Sequence, residues 1–128
     1  MATKKRIFIC FPIEDEWARN SLLGQAGNEK SPFDFIDMSP GNPWEKDWQA
    51  ECRSRIKRCH GIIALVSKET NSASGQLWEI KCAKEENIPL LGIYTTTDDR
   101  PSALPSELSG VRVVDWTWGN IKSFLEGL

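Results

Sequence analysis

The sequence predicts an α/β protein, a five-stranded parallel sheet in the order 2-1-3-4-5 lying between two layers of helices in the flavodoxin-like manner. Three observations carry this reading. Short apolar runs alternate with helical patterns along the chain, which implies right-handed crossovers and a mainly parallel sheet. Three of the runs, at 7–11, 62–66 and 89–94, are apolar almost throughout, as strands buried on both faces are. The other two, at 33–37 and 111–114, alternate or are short, which suits sheet edges. With the most apolar runs central, the order 2-1-3-4-5 follows, and its switch point falls between the first and third strands.

Each element has its own justification. Residues 15–23 predict a first helix, with Glu14, Asp15 and Glu16 near the positive end of its dipole. Trp44, Trp48, Cys52, Ile56 and Cys59 recur at spacings of four, four, four and three, the mark of a long amphipathic helix. Leu77, Ile80, Ala83 and Lys84 indicate a third helix, and Trp118, Ile121, Leu125 and Leu128 a last one. Between them, Thr95-Thr96-Thr97-Asp98-Asp99-Arg100-Pro101 reads as a loop, and Pro105 keeps any helix after it short. Without internal repeat, low-complexity tract or linker, residues 1–128 read as one domain.

Composition narrows the function. A chain of 128 residues with 40% hydrophobic and 27% charged side chains can bury a core without disulfides or metals. A net charge of −2 provides no basic field for nucleic acid, and Arg53-Ser54-Arg55-Ile56-Lys57-Arg58 reads as a solvated helix face. No apolar stretch nears the roughly 20 residues of a membrane span, and the apolar run after the basic start ends at Pro12, too soon for a secretory signal. A cytoplasmic protein without a membrane partner is expected. Cys10, Cys52, Cys59 and Cys82 stand singly and the one histidine, His60, borders a strand, so buried reduced thiols are expected rather than zinc.

In such a sheet, ligands bind beyond the carboxyl ends of the strands. That ground would be lined by Phe11, Pro12 and Ile13, by Ser67, and by Ser72-Ala73-Ser74-Gly75 leading into the helix of Glu79. A carboxylate placed there favours positive charge developing on a sugar. Each residue also has a plain structural reading. Glu79 suits a first helical turn, Phe11 and Pro12 suit the core, Ser67 suits a loop cap, and Pro40-Gly41 suits an ordinary turn. Trp44, Trp48, Trp116 and Trp118 read as packing residues, while Trp78 stays open because Glu79 beside it must point elsewhere.

These residues resemble the TIR domain family, and most closely the compact bacterial TIR-like proteins of the Thoeris anti-phage type. Phe8-Ile9-Cys10-Phe11-Pro12-Ile13-Glu14-Asp15 is similar to the family's opening box, with Cys10 where serine is usual. Asp37-Met38-Ser39-Pro40-Gly41 resembles its second box, residues 56–67 its approach through the third strand, and residues 74–80 the segment ending in its functional glutamate, here Glu79. The chain departs from the pattern at Gly75, four residues before Glu79, where a tryptophan is often found.

The resemblance implies cleavage of NAD as substrate, with no further cofactor and no metal. Nicotinamide leaves and an ADP-ribose or cyclic ADP-ribose type signal forms for a separate effector protein. It implies a catalytic Glu79, substrate contacts from Phe11, Pro12, Ile13, Asp37, Gly41, Ser67, Ser74 and Trp78, and a homo-oligomer on activation. Two other readings stand beside it, a non-catalytic TIR-type interaction module and a nucleoside deoxyribosyltransferase-like enzyme with a glutamate nucleophile.

Overall fold

The computed structural model describes residues 5–28, 33–37 and 48–128, with backbone alone for 33–37 and Trp48. Five strands, β1 (Lys5–Cys10), β2 (Phe33–Asp37), β3 (Gly61–Val66), β4 (Leu90–Tyr94) and β5 (Arg112–Val114), form one sheet ordered β2-β1-β3-β4-β5. All four pairings are parallel, with Ile9 opposite Asp37 on one side and Ile63 on the other. Four helices connect and flank them: α1 (Glu16–Asn28), α2 (Trp48–Lys57), α3 (Ser74–Glu85) and α4 (Trp118–Glu126).

Strand alternation divides the core in two. Phe8, Cys10, Ile62, Ala64 and Val66 face α2 and α3, where they meet Cys52, Ile56, Cys59, Ile80 and Ala83. Ile7, Ile9, Ile63, Leu65, Leu91 and Ile93 face the opposite way, against Ala18 and Leu22 of α1 and Ile121 and Leu125 of α4. Successive side chains of a strand point to opposite faces, so a continuously apolar strand such as β3, buried at every position, feeds both layers.

Several boundaries differ from the sequence pattern. The first helix runs to Asn28 rather than residue 23, after a single 3-10 turn at Ile13–Asp15. Helix α2 ends at Lys57, and Trp44 lies outside the described residues. Helix α3 starts at Ser74, and its buried stripe is Gln76, Glu79, Ile80, Cys82 and Ala83, whereas Leu77 is half-buried and Lys84 exposed. Two polar residues occupy core positions there, so a pattern drawn from apolar residues alone slips by one position. The expected loop contains a 3-10 turn at Ser106–Leu108 that buries Leu108 beside α3, and Lys84 Nζ donates to the carbonyls of Glu107 and Ser109 at 3.1 and 2.9 Å.

Candidate functional site

Beyond the carboxyl ends of β1 and β3, a cavity of about 230 Å3 opens between the chain leaving β1 and the start of α3. Phe11, Pro12, Ile13 and Glu14 form one wall. Ser72, Ala73, Ser74, Gly75, Gln76 and Glu79 form the other. The local sequence explains both walls. Pro12 has an extended backbone that ends the strand, and its carbonyl accepts from the Asp15 amide at 2.8 Å to close the 3-10 turn. On the far side Ala73 precedes α3 and no side chain caps that helix, which leaves its first backbone N–H groups without a side-chain acceptor.

Glu79 is 2% exposed. Its Oε2 accepts from the Cys52 thiol at 3.5 Å, and the Cys10 thiol also interacts with the carboxyl. Burial pushes the Glu79 carboxyl up from the ordinary 4.5 to about 8, against the opposing effect of the Cys10 and Cys52 thiols. The same burial, with Glu79 beside them, raises both thiols, so neither forms a reactive thiolate. All four cysteines are free and buried, and no group of three ligating side chains suited to a metal occurs among the described residues.

Gln76 had no counterpart in the sequence reading. It is 2% exposed, and its Nε2 donates to the carbonyls of Leu65 at 2.7 Å and Cys10 at 3.2 Å, tying α3 to β3 and β1. Its position three residues before Glu79 was the only available signal, since glutamine is rarely buried without partners. Asp15 plays a comparable part lower down. It is 3% exposed and accepts from the Ser67 hydroxyl, joining the exits of β1 and β3.

The candidate residues therefore separate. Phe11, Pro12, Ile13, Ser74 and Glu79 converge on the cavity. Ser67 does not line it; the residue is fully buried, and its hydroxyl is engaged by Asp15 and by the Glu69 amide at 3.1 Å. Trp78 does not line it either. It turns toward α2, half-buried against that core, with the Arg53 guanidinium 5.6 Å from its ring centre. Consecutive helical residues diverge by about 100°, so Glu79 facing the cavity sends Trp78 away. Gly75, where the family often carries tryptophan, meets nothing within 4 Å of an added Cβ, so the cavity is open at that point. Asp37 ends β2 on the same side of the sheet, but its side chain is outside the description, as is Gly41. Trp116 and Trp118 pack against the α1 and α4 side of the core, Trp116 Nε1 donating to Gln25 at 2.8 Å.

Comparison with known proteins agrees with this fold. The family model for the TIR-like domain of Thoeris protein ThsB matches residues 8–100. No curated protein matches the chain. Among solved structures, the TIR domain of the Toll-related receptor TRR-2 from Hydra magnipapillata superposes with a TM-score of 0.67 at 19% identity, over 94% of this chain and 97% of that one. The TIR domains of the activated Roq1 resistosome, which directly recognises the pathogen effector XopQ, give 0.51 at 17% identity, over 71% of this chain and 57% of theirs. A diflavin flavoprotein A3 from Nostoc sp. gives 0.53 at 17% identity, over 98% and 89%. At such identities the structural likeness speaks for the fold alone.

Proposed function

We propose a function from one premise: this chain belongs to the TIR-like domain family of Thoeris protein ThsB. It is an NAD-consuming enzyme that releases nicotinamide and makes an ADP-ribose or cyclic ADP-ribose type signal, read by a separate effector protein in anti-phage defence. One observation carries the reading, the buried Glu79 carboxyl in the wall of a cavity beyond β1 and β3.

When the bond between nicotinamide and the ribose breaks, its electron pair departs with nicotinamide, which leaves neutral, and positive charge passes to the sugar. No strong general acid is needed. An anionic side chain in a water-poor wall stabilises that charge more than it stabilises the substrate. Glu79 at rest holds its proton at neutral pH, because burial sets it near 8. A cationic nicotinamide ring in the cavity favours the ionised carboxylate, so substrate binding and ionisation support each other. The thiols of Cys10 and Cys52 are weak donors, readily outcompeted by sugar hydroxyls. The cavity is smaller than the roughly 300–1,000 Å3 of a typical drug-sized ligand site, which suits the nicotinamide riboside half of NAD. Uncapped amides at the start of α3 suit the adjoining phosphates.

Incubating the purified protein with NAD and following nicotinamide release tests this. The parent turns over and Glu79→Gln loses about 100-fold or more, as when a single electrostatic stabiliser is removed. Equal turnover by both proteins removes Glu79 from the chemistry. The interaction-module reading draws on a different observation, the exposure of Ile13 in the cavity wall and of Trp17 in α1, at 77% and 48%. Under that reading Glu79→Gln retains partner capture while Ile13→Asp and Trp17→Asp lose it.

A further inference from the structure

Gln76 presents an oddity that its scaffolding role does not explain. Both of its N–H bonds are committed, to the Leu65 and Cys10 carbonyls. Those two acceptors settle the orientation of the amide, because the flipped form would set an oxygen against two carbonyl oxygens. The side-chain Oε1 is thereby left buried with no hydrogen-bond partner. A buried acceptor without a donor is costly and rare enough to call for a cause. Gln76 lines the same cavity as Glu79, three residues ahead of it on the same buried face of α3. Side chains at that spacing are neighbours. Phe11, Pro12, Ala73 and Gly75 of the wall carry no side-chain donor, and the hydroxyls of Ser72 and Ser74, which also line it, make no bond to Oε1.

We propose that Gln76 is a second substrate-positioning residue, its Oε1 accepting a hydrogen bond from one hydroxyl of a ribose diol while Glu79 engages the other. The inference rests on the NAD reading above and extends it, since it assigns recognition of the diol to a pair of acceptors on one helix turn. The protein's own carbonyls hold the amide in one orientation, and because Oε1 is covered at rest the sugar reaches it only as the wall beside it opens. A sugar lacking these hydroxyls leaves Oε1 as it is at rest, unpartnered, and gains nothing from it. The site therefore selects ribose over deoxyribose at the nicotinamide end.

The test uses carba-NAD, whose carbocyclic ring keeps the hydroxyls but cannot release nicotinamide, beside its counterpart lacking both hydroxyls on that ring. Calorimetric titration of the parent gives tenfold or greater preference for the hydroxylated probe. In Gln76→Met the preference shrinks at least fivefold, while binding of the deoxy probe changes little. A purely structural role weakens both probes alike and leaves their ratio unchanged, and that result overturns the proposal. So does a contact with the nicotinamide carboxamide, which also leaves the ratio intact. If the variant fails to fold, the side-chain amide signal of Gln76 in the parent decides: it moves on adding carba-NAD and not on adding the deoxy probe, and an unmoved signal overturns the assignment. Absence of any binding by the parent overturns the NAD reading and this inference together, whereas binding with an unchanged ratio overturns this one alone.

Discussion

Glu79 behaves unlike a surface carboxylate, and two measurable consequences follow from its burial. Its carboxyl is raised from 4.5 unfolded to about 8 folded, so between those values the folded chain holds a proton that the unfolded chain has released. Its contribution to stability is full below about pH 4.5 and is lost as pH rises toward 8. Melting curves from pH 5 to 9 should show the parent losing stability relative to Glu79→Gln across that window; a constant difference between the two would contradict the burial. Under the proposed chemistry the ionised form is the working one. The kcat/KM for NAD then rises about tenfold per pH unit up to about 8 and levels off above it, and the profile of kcat breaks at lower pH because the bound cation helps ionisation. Ser67 carries a third prediction. Ser67→Ala strips the buried Asp15 of its hydroxyl donor and costs about 1–3 kcal/mol by denaturant unfolding, with nicotinamide release affected less than by Glu79→Gln.

At the scale of elements, the site depends on where β1 stops and α3 starts. The Gln76 side chain ties α3 to both strand exits by donating to the Cys10 and Leu65 carbonyls, and the Cys10 thiol donates to the Gln76 backbone carbonyl at 3.5 Å. The far end of α3 closes with Asn87 at a φ of 57°, a left-handed position that asparagine tolerates, as the Ile88 amide reaches back to the Ala83 carbonyl at 2.9 Å. On the sheet's other flank, β5 is only three residues long and depends on a close fit. Gly92 of β4 sits opposite Val113, and a Cβ built there would meet Val113 Cγ2 at 2.9 Å and its Cβ at 3.3 Å. A branched side chain on a neighbouring strand has little freedom to retreat. Gly92→Ala is therefore expected to cost about 1–3 kcal/mol, as overpacking does, with the loss read from the chemical denaturation midpoint at unchanged slope.

Across the whole molecule, two apolar layers share one sheet, and the central strands hold both. Ile63 is fully buried in the α1 and α4 layer. Ile63→Ala should cost about 2–5 kcal/mol, several times the effect of the cavity-wall substitution Ser74→Ala, since Ser74 is exposed. No helix among the described residues is long and apolar enough to cross a membrane. The proposed homo-oligomer makes a prediction at this scale as well. Under the proposed chemistry a neighbouring copy covers the part of the dinucleotide that lies beyond the cavity. Nicotinamide release per molecule then rises with protein concentration in step with the mass seen by light scattering, and a fully active dilute monomer would dispose of that arrangement.

Alternation of apolar runs with helical stripes was enough to derive the parallel α/β class, because strands buried on both faces must be apolar throughout, and β1, β3 and β4 are. The placement of Glu79 beyond the strand ends was legible too, since winding order dictates where a parallel sheet opens. Periodicity failed where polar side chains are buried. It found Ile80 and Ala83 in the core stripe of α3 but added Leu77 and Lys84, passed over Gln76, and gave no sign that Ser67 is consumed by Asp15 or that Trp78 turns toward Arg53. Composition and spacing determine which elements form and in what order they wind. Which buried polar atoms find partners depends on contacts between residues far apart in the chain, such as Gln76 with Leu65 and Cys10, and those distances exist only once the three layers have closed.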